Sequence, residues 1–189
     1  MAKHVEEPAP APIEPAGEQP VVAGFRFSAA ACGMRFTGRD DLALIACDEP
    51  AEWAGVFTTS SAPGAPVVVS RELRRKGKPV SAVLVNAGIA NAGTGRAGVR
   101  DVAKTQKMVA HRLDVRSRAV LCSSTGRIGP RIDLDKIERA LPALVDGLAP
   151  ERSLDAARAI MTSDSVPKRA VARCTVDGRE VTLLGIAKG

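Results

Sequence analysis

Short apolar runs alternate along this chain with clusters of turn-forming residues. Residues 42–47 (LALIAC) and 82–85 (AVLV) are continuous apolar runs of strand length. Residues 55–59 (GVFTT), 66–70 (PVVVS) and 119–122 (AVLC) are rich in β-branched or apolar residues and are also predicted as strands. Because continuous apolar runs are typical of strands covered on both faces, the pattern predicts a layered sheet.

Three segments have the periodicity of amphipathic helices. In residues 99–113 the apolar side chains fall on one stripe of a helix. Asp133 is a candidate N-cap for a second helix, in which Pro142 is expected to introduce a kink or an end. Ser153 is a candidate N-cap for a third, which is expected to run to about Thr162.

The last part of the chain predicts a β-hairpin. Residues 170–176 and 179–187 are strand-like and are joined by Asp177-Gly178, a two-residue hairpin signal. The second run ends at Gly189 without a cap or tail. We therefore expect either that the chain was cut here or that the fold continues in another chain.

Composition and charge divide the chain at about residue 20. Residues 1–20 hold five prolines, one lysine and four glutamates, and are predicted to form a disordered Pro/Glu-rich tail with a net charge of −3. Residues 21–189 are predicted to be the folded part, and their net charge of +9 together with the −3 of the tail gives the total of +6. A basic body indicates nucleic acid, anionic lipid, or an acidic partner or substrate, but the scattered charges favour an ordinary solvated surface.

Several function classes are excluded by composition. With four Phe, one Trp and no Tyr, the core must be aliphatic, and a protein that stacks single-stranded nucleic acid on aromatic rings is disfavoured. No apolar run approaches the roughly 18 residues of a membrane helix. The four cysteines and two histidines lack the spacing of a zinc site, so no metal is expected. No secretory signal is present at the N-terminus, which predicts a cytoplasmic protein.

A glycine-rich segment follows the strand at 82–85. Residues 86–98 (NAGIANAGTGRAG) lead into the predicted helix at 99–113, and residues 93–98 match the string G-x-G-x-x-G. A loop at a helix N-terminus can bind an anion, but this one is too long for a dinucleotide fingerprint, and no acidic strand end follows at the expected distance. A structural loop, a loop lining an active site and a nucleotide-binding loop remain open.

Two hydroxyl-rich segments and one lysine are candidates for chemistry. In residues 123–129 (SSTGRIG) a threonine side chain with the next glycine N–H can form an oxyanion hole, although this is also common turn chemistry. Residues 161–168 (MTSDSVPK) can bind a polar substrate or end the third helix. Lys188 can bind a carboxylate or lie at a strand end on the surface. No complete catalytic set is present, so if the protein is an enzyme we expect its nucleophile to lie elsewhere.

Taken together and in their order along the chain, these motifs resemble those of the ornithine acetyltransferases, the bifunctional glutamate N-acetyltransferases of arginine biosynthesis. The resemblance rests on DLALIACDEPAEWAGVFTTS, APVVVSREL, VNAGIANAGTG, SSTGRIG, DKIERALP, AIMTSDSVPK and GIAKG, and covers residues 24–189. Members of that family are made as a precursor that cuts itself before a threonine, and this chain is similar to their α chain. The implied fold is a layered α-β-β-α sandwich completed by a β chain whose N-terminal Thr is the nucleophile.

The resemblance also implies an activity and residue roles. It implies ping-pong transfer of the acetyl group from N2-acetyl-L-ornithine to L-glutamate, with an oxyanion hole at Thr125 and Gly126. Substrate contacts map to Thr162, Ser163 and Lys188. No cofactor is implied, although acetyl-CoA is a possible second acetyl donor, and the αβ pairs are expected to form an α2β2 assembly. The alternatives are a self-processing aminopeptidase or amidase of the same fold group, and a non-enzymatic module that binds phosphate or a nucleotide.

Overall fold

The computed structural model describes residues 20–188, so residues 1–19 of the predicted tail and Gly189 lie outside the described part. In chain order the elements are β1 (Phe25–Ala30), β2 (Leu42–Ala51), α1 (Ala65–Lys76), β3 (Val80–Ile89), α2 (Gly95–Leu113), a short 3-10 helix (Ser117–Ala119), β4 (Val120–Arg127), α3 (Leu134–Asp146), α4 (Ser153–Ala159), β5 (Lys168–Val176) and β6 (Arg179–Ala187).

The main sheet has four strands in the order β1-β2-β3-β4. The first two pairings are antiparallel, whereas β3 and β4 are parallel and are connected through α2. In that parallel pair Ala87 lies opposite Thr125, and Gly88 lies opposite Gly126. Because parallel strands point the same way, the segments that follow β3 and β4 leave the sheet at the same edge.

Each face of this sheet is covered by a different layer. Leu42 and Leu44 of β2 are fully buried on the face that packs against α2 and α3. Ala43 and Ile45, which alternate with them, face α4 and Leu184 of the hairpin. Helices, four-stranded sheet and two-stranded sheet therefore form successive layers, as the predicted layered α/β fold requires.

Most of the predicted elements are confirmed. The apolar runs at 42–47, 82–85 and 119–122 lie in β2, β3 and at the start of β4. The helix predicted at 99–113 is present as α2. In the hairpin, Asp177 and Gly178 have φ values of 50° and 76°, the two left-handed residues that a tight two-residue turn needs. None of the helices within residues 20–188 combines the length and apolarity needed to cross a bilayer.

Two predicted strands are wrong. Residues 66–70 lie in α1, which has Pro66 in its first turn and ends at Gly77, where φ is 57°. The β-branched residues are outweighed by the good helix formers of the basic run that follows them. Residues 55–59 form no regular structure, and Val56 is fully exposed.

Helix ends also differ from prediction. Asp133 caps α3 as expected, its carboxylate accepting the Lys136 N–H at 3.2 Å, but Pro142 does not end the helix, which continues to Asp146. Ser153 is the first residue of α4 rather than its cap, and that helix ends at Ala159, before Thr162.

Candidate active site

Two facing glycines mark the edge of the sheet where β3 and β4 end. Gly88 has a φ of 106° and Gly126 a φ of 132°, backbone conformations that side-chain-bearing residues rarely adopt. A Cβ on Gly126 would lie 2.2 Å from the carbonyl carbon of Gly88 and 2.4 Å from its oxygen. The two backbones approach so closely that no side chain fits, and Thr125 is held directly beside this contact.

Buried polar groups fix the strand ends just before the glycines. The Ser124 hydroxyl donates to Oδ1 of Asn86 at 2.6 Å, and Nδ2 of the same asparagine donates to the Ile89 carbonyl at 2.8 Å. Asn86 is almost completely buried. This bridge ties the last residues of β3 to the SSTG segment, and a fixed backbone is what an oxyanion hole requires.

Gly126 opens onto a cleft that also contains the predicted hydroxyl pair. The cleft, of about 370 Å³, is lined by Arg35, Phe36, Gly126, Arg127, Thr162 and Ser163. Its volume falls within the usual range for small-molecule sites. Thr125, partly buried, is adjacent to the cleft but does not line it. The structure thus brings together two sequence motifs, SSTGRIG and MTSDSVPK, that are far apart in the chain.

Lys188 and the hydroxyl segment at Thr162 and Ser163 are linked by the carboxylate of Asp164, which contacts both. The Asp164 side chain is 1% exposed, and its Oδ2 accepts the backbone N–H of Thr162 at 3.2 Å and lies 3.4 Å from the Lys188 ammonium. Its Oδ1 accepts from the Lys168 ammonium at 2.6 Å. Burying a carboxylate is unfavourable unless it is paired, and two lysines and one N–H meet that need here.

The part of the cleft wall formed by Arg35 and Phe36 is held by a set of hydrogen bonds to Asp41, which we call the Asp41 clasp. The completely buried Asp41 carboxylate accepts backbone N–H bonds from Cys32, Gly33 and Met34 at 2.7, 3.2 and 2.7 Å. Arg35 follows at once and packs against Gly88, where an added Cβ would lie 2.7 Å from that of Arg35. The β1–β2 loop is therefore placed by a side chain at the start of β2.

The same loop is tied to the hydroxyl segment by Arg39. Its guanidinium donates to the Met161 carbonyl at 2.7 Å and to the Arg158 carbonyl at 3.2 Å. The group also lies 4.5 Å from the centre of the Phe36 ring, within the range of a cation–π contact. Two walls of the cleft are thereby joined directly.

The cysteines near these elements are poor nucleophiles. Burial, reinforced by a hydrogen bond and the negative charge of Asp41, raises the pKa of the Cys32 thiol to about 12. Burial alone raises the pKa of Cys122 to about 12. Both groups are protonated thiols at neutral pH, and the thiolate is the reactive form.

The glycine-rich loop has a structural role in this fold. Asn91, which is completely buried with a φ of 47°, accepts from the Thr94 hydroxyl at 2.8 Å and donates to the Gly98 carbonyl at 3.2 Å. Its own carbonyl accepts the Ala65 N–H at 2.9 Å, which fixes the start of α1. These three hydrogen bonds tie the loop to the start of α1 and to the first turn of α2.

Several residues of the cleft were not identified from the sequence. Arg127, which lines the cleft, and Asp164, which lies beside it, belong to the SSTGRIG and MTSDSVPK segments, but a sequence segment does not show which of its side chains faces inward. Arg35 and Phe36 belong to a loop with no motif of its own. A larger cavity, of about 830 Å³, lies along α1 and is lined by none of the predicted site residues.

Comparison with known protein sequences identifies one family, ArgJ, both by its sequence model and by individual relatives. The sequence model of the ArgJ family matches residues 26–189. Over 167 residues the chain is 44% identical to the arginine biosynthesis bifunctional protein ArgJ of Nitratidesulfovibrio vulgaris, which covers 88% of this chain and 42% of that protein. The protein of the same name from Gluconobacter oxydans is 41% identical over 184 residues, covering 95% and 43%. The chain thus spans less than half the length of these curated relatives.

Two solved structures share the fold. The ornithine acetyltransferase of Mycobacterium tuberculosis, solved in complex with ornithine, superposes with a TM-score of 0.83 at 35% identity, over 89% of each chain. The arginine biosynthesis bifunctional protein ArgJ of Bacillus halodurans superposes with a TM-score of 0.79 at 30% identity, over 90% of this chain and 91% of the other.

Proposed function

The chain belongs to the ArgJ family, as the sequence motifs predicted, and on that premise we propose that it is the α chain of an acetyltransferase of arginine biosynthesis. The enzyme transfers the acetyl group of N2-acetyl-L-ornithine to L-glutamate. The observation that carries this proposal is the cleft in which Gly126 meets Thr162 and Ser163, with Lys188 beside it.

The nucleophile is supplied by a partner β chain. The hydroxyl oxygen of its N-terminal Thr attacks the acetyl carbonyl, and the α-amino group of the same residue takes the proton. The tetrahedral oxyanion is stabilised by Thr125 and by the backbone of Gly126. The carbon–nitrogen bond then breaks, ornithine leaves with the proton, and the acetyl group remains on the partner Thr. The amino group of glutamate then attacks this ester, and the α-amino group of the partner Thr takes a proton from the attacking nitrogen. The bond between the acetyl carbon and the threonine oxygen breaks, that oxygen takes the proton back, and N-acetylglutamate leaves.

The substrate-binding residues have matching chemistry. The Lys188 ammonium pairs with a substrate carboxylate, and the hydroxyls of Thr162 and Ser163 hydrogen-bond the polar groups of the amino acid. No cofactor is needed for this route. Acetyl-CoA as a second donor, an α2β2 assembly and a cytoplasmic location belong to the same proposal.

Two measurements test the proposal on material purified from the natural source. Intact-mass analysis should find a second chain that begins with Thr. The complex should transfer acetyl from N2-acetylornithine to glutamate rather than release acetate, which is the product expected of an amidase with water as acceptor. A complex with no Thr-initiated chain, or one that only releases acetate, contradicts the proposal.

Thr125→Ala tests the oxyanion hole within the same assay. Removing one oxyanion-hole donor typically lowers kcat by about two to three orders of magnitude, so we expect about a 100-fold loss with the fold intact. Ser123→Ala is the matched control, because Ser123 lies two residues earlier on the same face of β4 and is exposed. Normal turnover by the Thr125 variant removes that residue from the site.

A further inference from the structure

Two of the residues that line the cleft are arginines to which the proposed mechanism gives no role. Arg35 and Arg127 both line it and both are exposed. Neither forms an ion pair with a carboxylate of residues 20–188. By contrast, Arg39 at the edge of the same loop donates to two carbonyl groups.

Both arginines start from fixed backbone positions. The Asp41 clasp holds the three residues before Arg35, and Arg35 itself rests on Gly88. Arg127 is the last residue of β4, and its carbonyl accepts the Ala90 N–H at 2.9 Å. Two arginines therefore line the cleft from anchored backbone positions on different elements, Arg35 beside Gly88 and Arg127 next in the chain to Gly126.

The charged residues that line the cleft are all positive. Its lining includes two arginines and no acidic residue. The nearest carboxylate beside the hydroxyl segment, Asp164, is buried and already bound by Lys168, Lys188 and the Thr162 N–H. A ligand in the cleft consequently meets the positive charge of Arg35 and Arg127, and Lys188 lies beside the Thr162–Asp164 segment through its ion pair with Asp164.

We propose that Arg35 and Arg127 bind the second carboxylate of a dicarboxylic amino-acid acceptor while Lys188 takes the first. This rests on the proposed function and names the residues that select the acceptor. The planar guanidinium donates two parallel N–H bonds to a carboxylate, whereas it repels the ammonium at the end of a diamino acid. Glutamate is therefore bound through both of its carboxylates, whereas ornithine is bound only through its single carboxylate.

The kinetic test compares the two substrates in the intact complex. In a variant carrying Arg35→Gln and Arg127→Gln, we expect KM for glutamate to rise at least tenfold and kcat to be kept. KM for N2-acetylornithine should stay the same or fall, because the repulsion of its ammonium is removed. Arg127→Lys in an otherwise unchanged chain should raise KM for glutamate less than the double variant does, because lysine retains the charge but not the two parallel N–H donors. Arg139→Gln, at an exposed position of α3 outside the cleft, is the control and should match the wild type. An equal rise in both KM values, or a loss of kcat alone, overturns the assignment.

A binding test separates this proposal from the acetyl-transfer proposal. Glutarate should raise the Tm of the wild-type complex, 5-aminovalerate of the same length should not, and the double variant should lose the response to glutarate. This outcome supports the arginine site even if no acetyl transfer is detected. Equal responses to the two compounds, or an unchanged response in the double variant, overturn the site even if transfer from N2-acetylornithine is confirmed.

Discussion

Gly126→Ala is the most informative single substitution, because it tests the close approach of β3 and β4 on which the proposed oxyanion hole depends. The new methyl group would lie 2.2 and 2.4 Å from the carbonyl carbon and oxygen of Gly88, and 2.6 Å from the Ile89 nitrogen. All three atoms are backbone, so no side chain can rotate away, and the strands must separate. The φ of 132° adds backbone strain for any residue with a side chain.

The size of the effect follows from these two contributions. Holding a non-glycine residue in such a conformation costs about 1–3 kcal/mol. Forcing a methyl group into closely packed surroundings costs about 1–3 kcal/mol more. We therefore expect Gly126→Ala to lower the free energy of unfolding by about 2–6 kcal/mol, a large share of the roughly 5–15 kcal/mol of a typical domain.

Gly129→Ala separates the clash from the backbone strain. Gly129 lies three residues later with a φ of 106°, but nothing lies within 4 Å of the position of its added Cβ. It should lose only the strain contribution, which makes it more stable than the Gly126 variant by about 1–3 kcal/mol. Urea unfolding followed by circular dichroism measures both. If the two variants unfold within about 0.5 kcal/mol of each other, the inferred close contact between β3 and β4 is wrong.

Three further predictions address other parts of the molecule. Lys188→Ala should raise KM for the substrate and change Tm little, because the Asp164 carboxylate keeps its ion pair with Lys168 and its hydrogen bond from the Thr162 N–H. A variant that unfolds would mean that Lys188 has a structural role. Asp133→Ala should lower stability by about 1 kcal/mol in urea through loss of the α3 cap, whereas Asp133→Asn should keep most of it. Burial raises the pKa of both Cys122 and Cys32 from 9.0 to about 12, so the folded state keeps protons that the unfolded state releases. Stability should therefore fall as pH rises from about 9 to about 12, and Cys122→Ala should remove only the Cys122 share of that fall in urea unfolding at several pH values.

The elements that were predicted correctly are those whose local pattern agrees with their packing. Residues 42–47 are apolar on both faces because β2 lies inside the sheet between helices and hairpin. The turn at Asp177-Gly178 needs only its own two residues. In these places the information is local, and the structure uses it directly.

The errors occurred where distant contacts or chain context decide the structure. Residues 66–70 carry strand-forming side chains, but they lie in the first turns of a helix whose start is fixed by the Asn91 carbonyl. The motifs identified Gly126, Thr162 and Ser163 as candidates, whereas the other half of the cleft, Arg35 and Phe36, is placed by the Asp41 clasp. That clasp depends on a loop folding back on the strand that follows it, which no short motif encodes.

The link through Arg39 has a consequence for the order of events in folding. It joins the β1–β2 loop to Met161, 122 residues away in the chain, so this wall of the cleft exists only after the early and late parts of the chain have met. Contacts of such long sequence separation are entropically expensive to form and slow folding. We expect the cleft to be among the last features to form, well after the local hairpin and helices. A newly made chain would then complete the cleft only when the rest of the fold is in place.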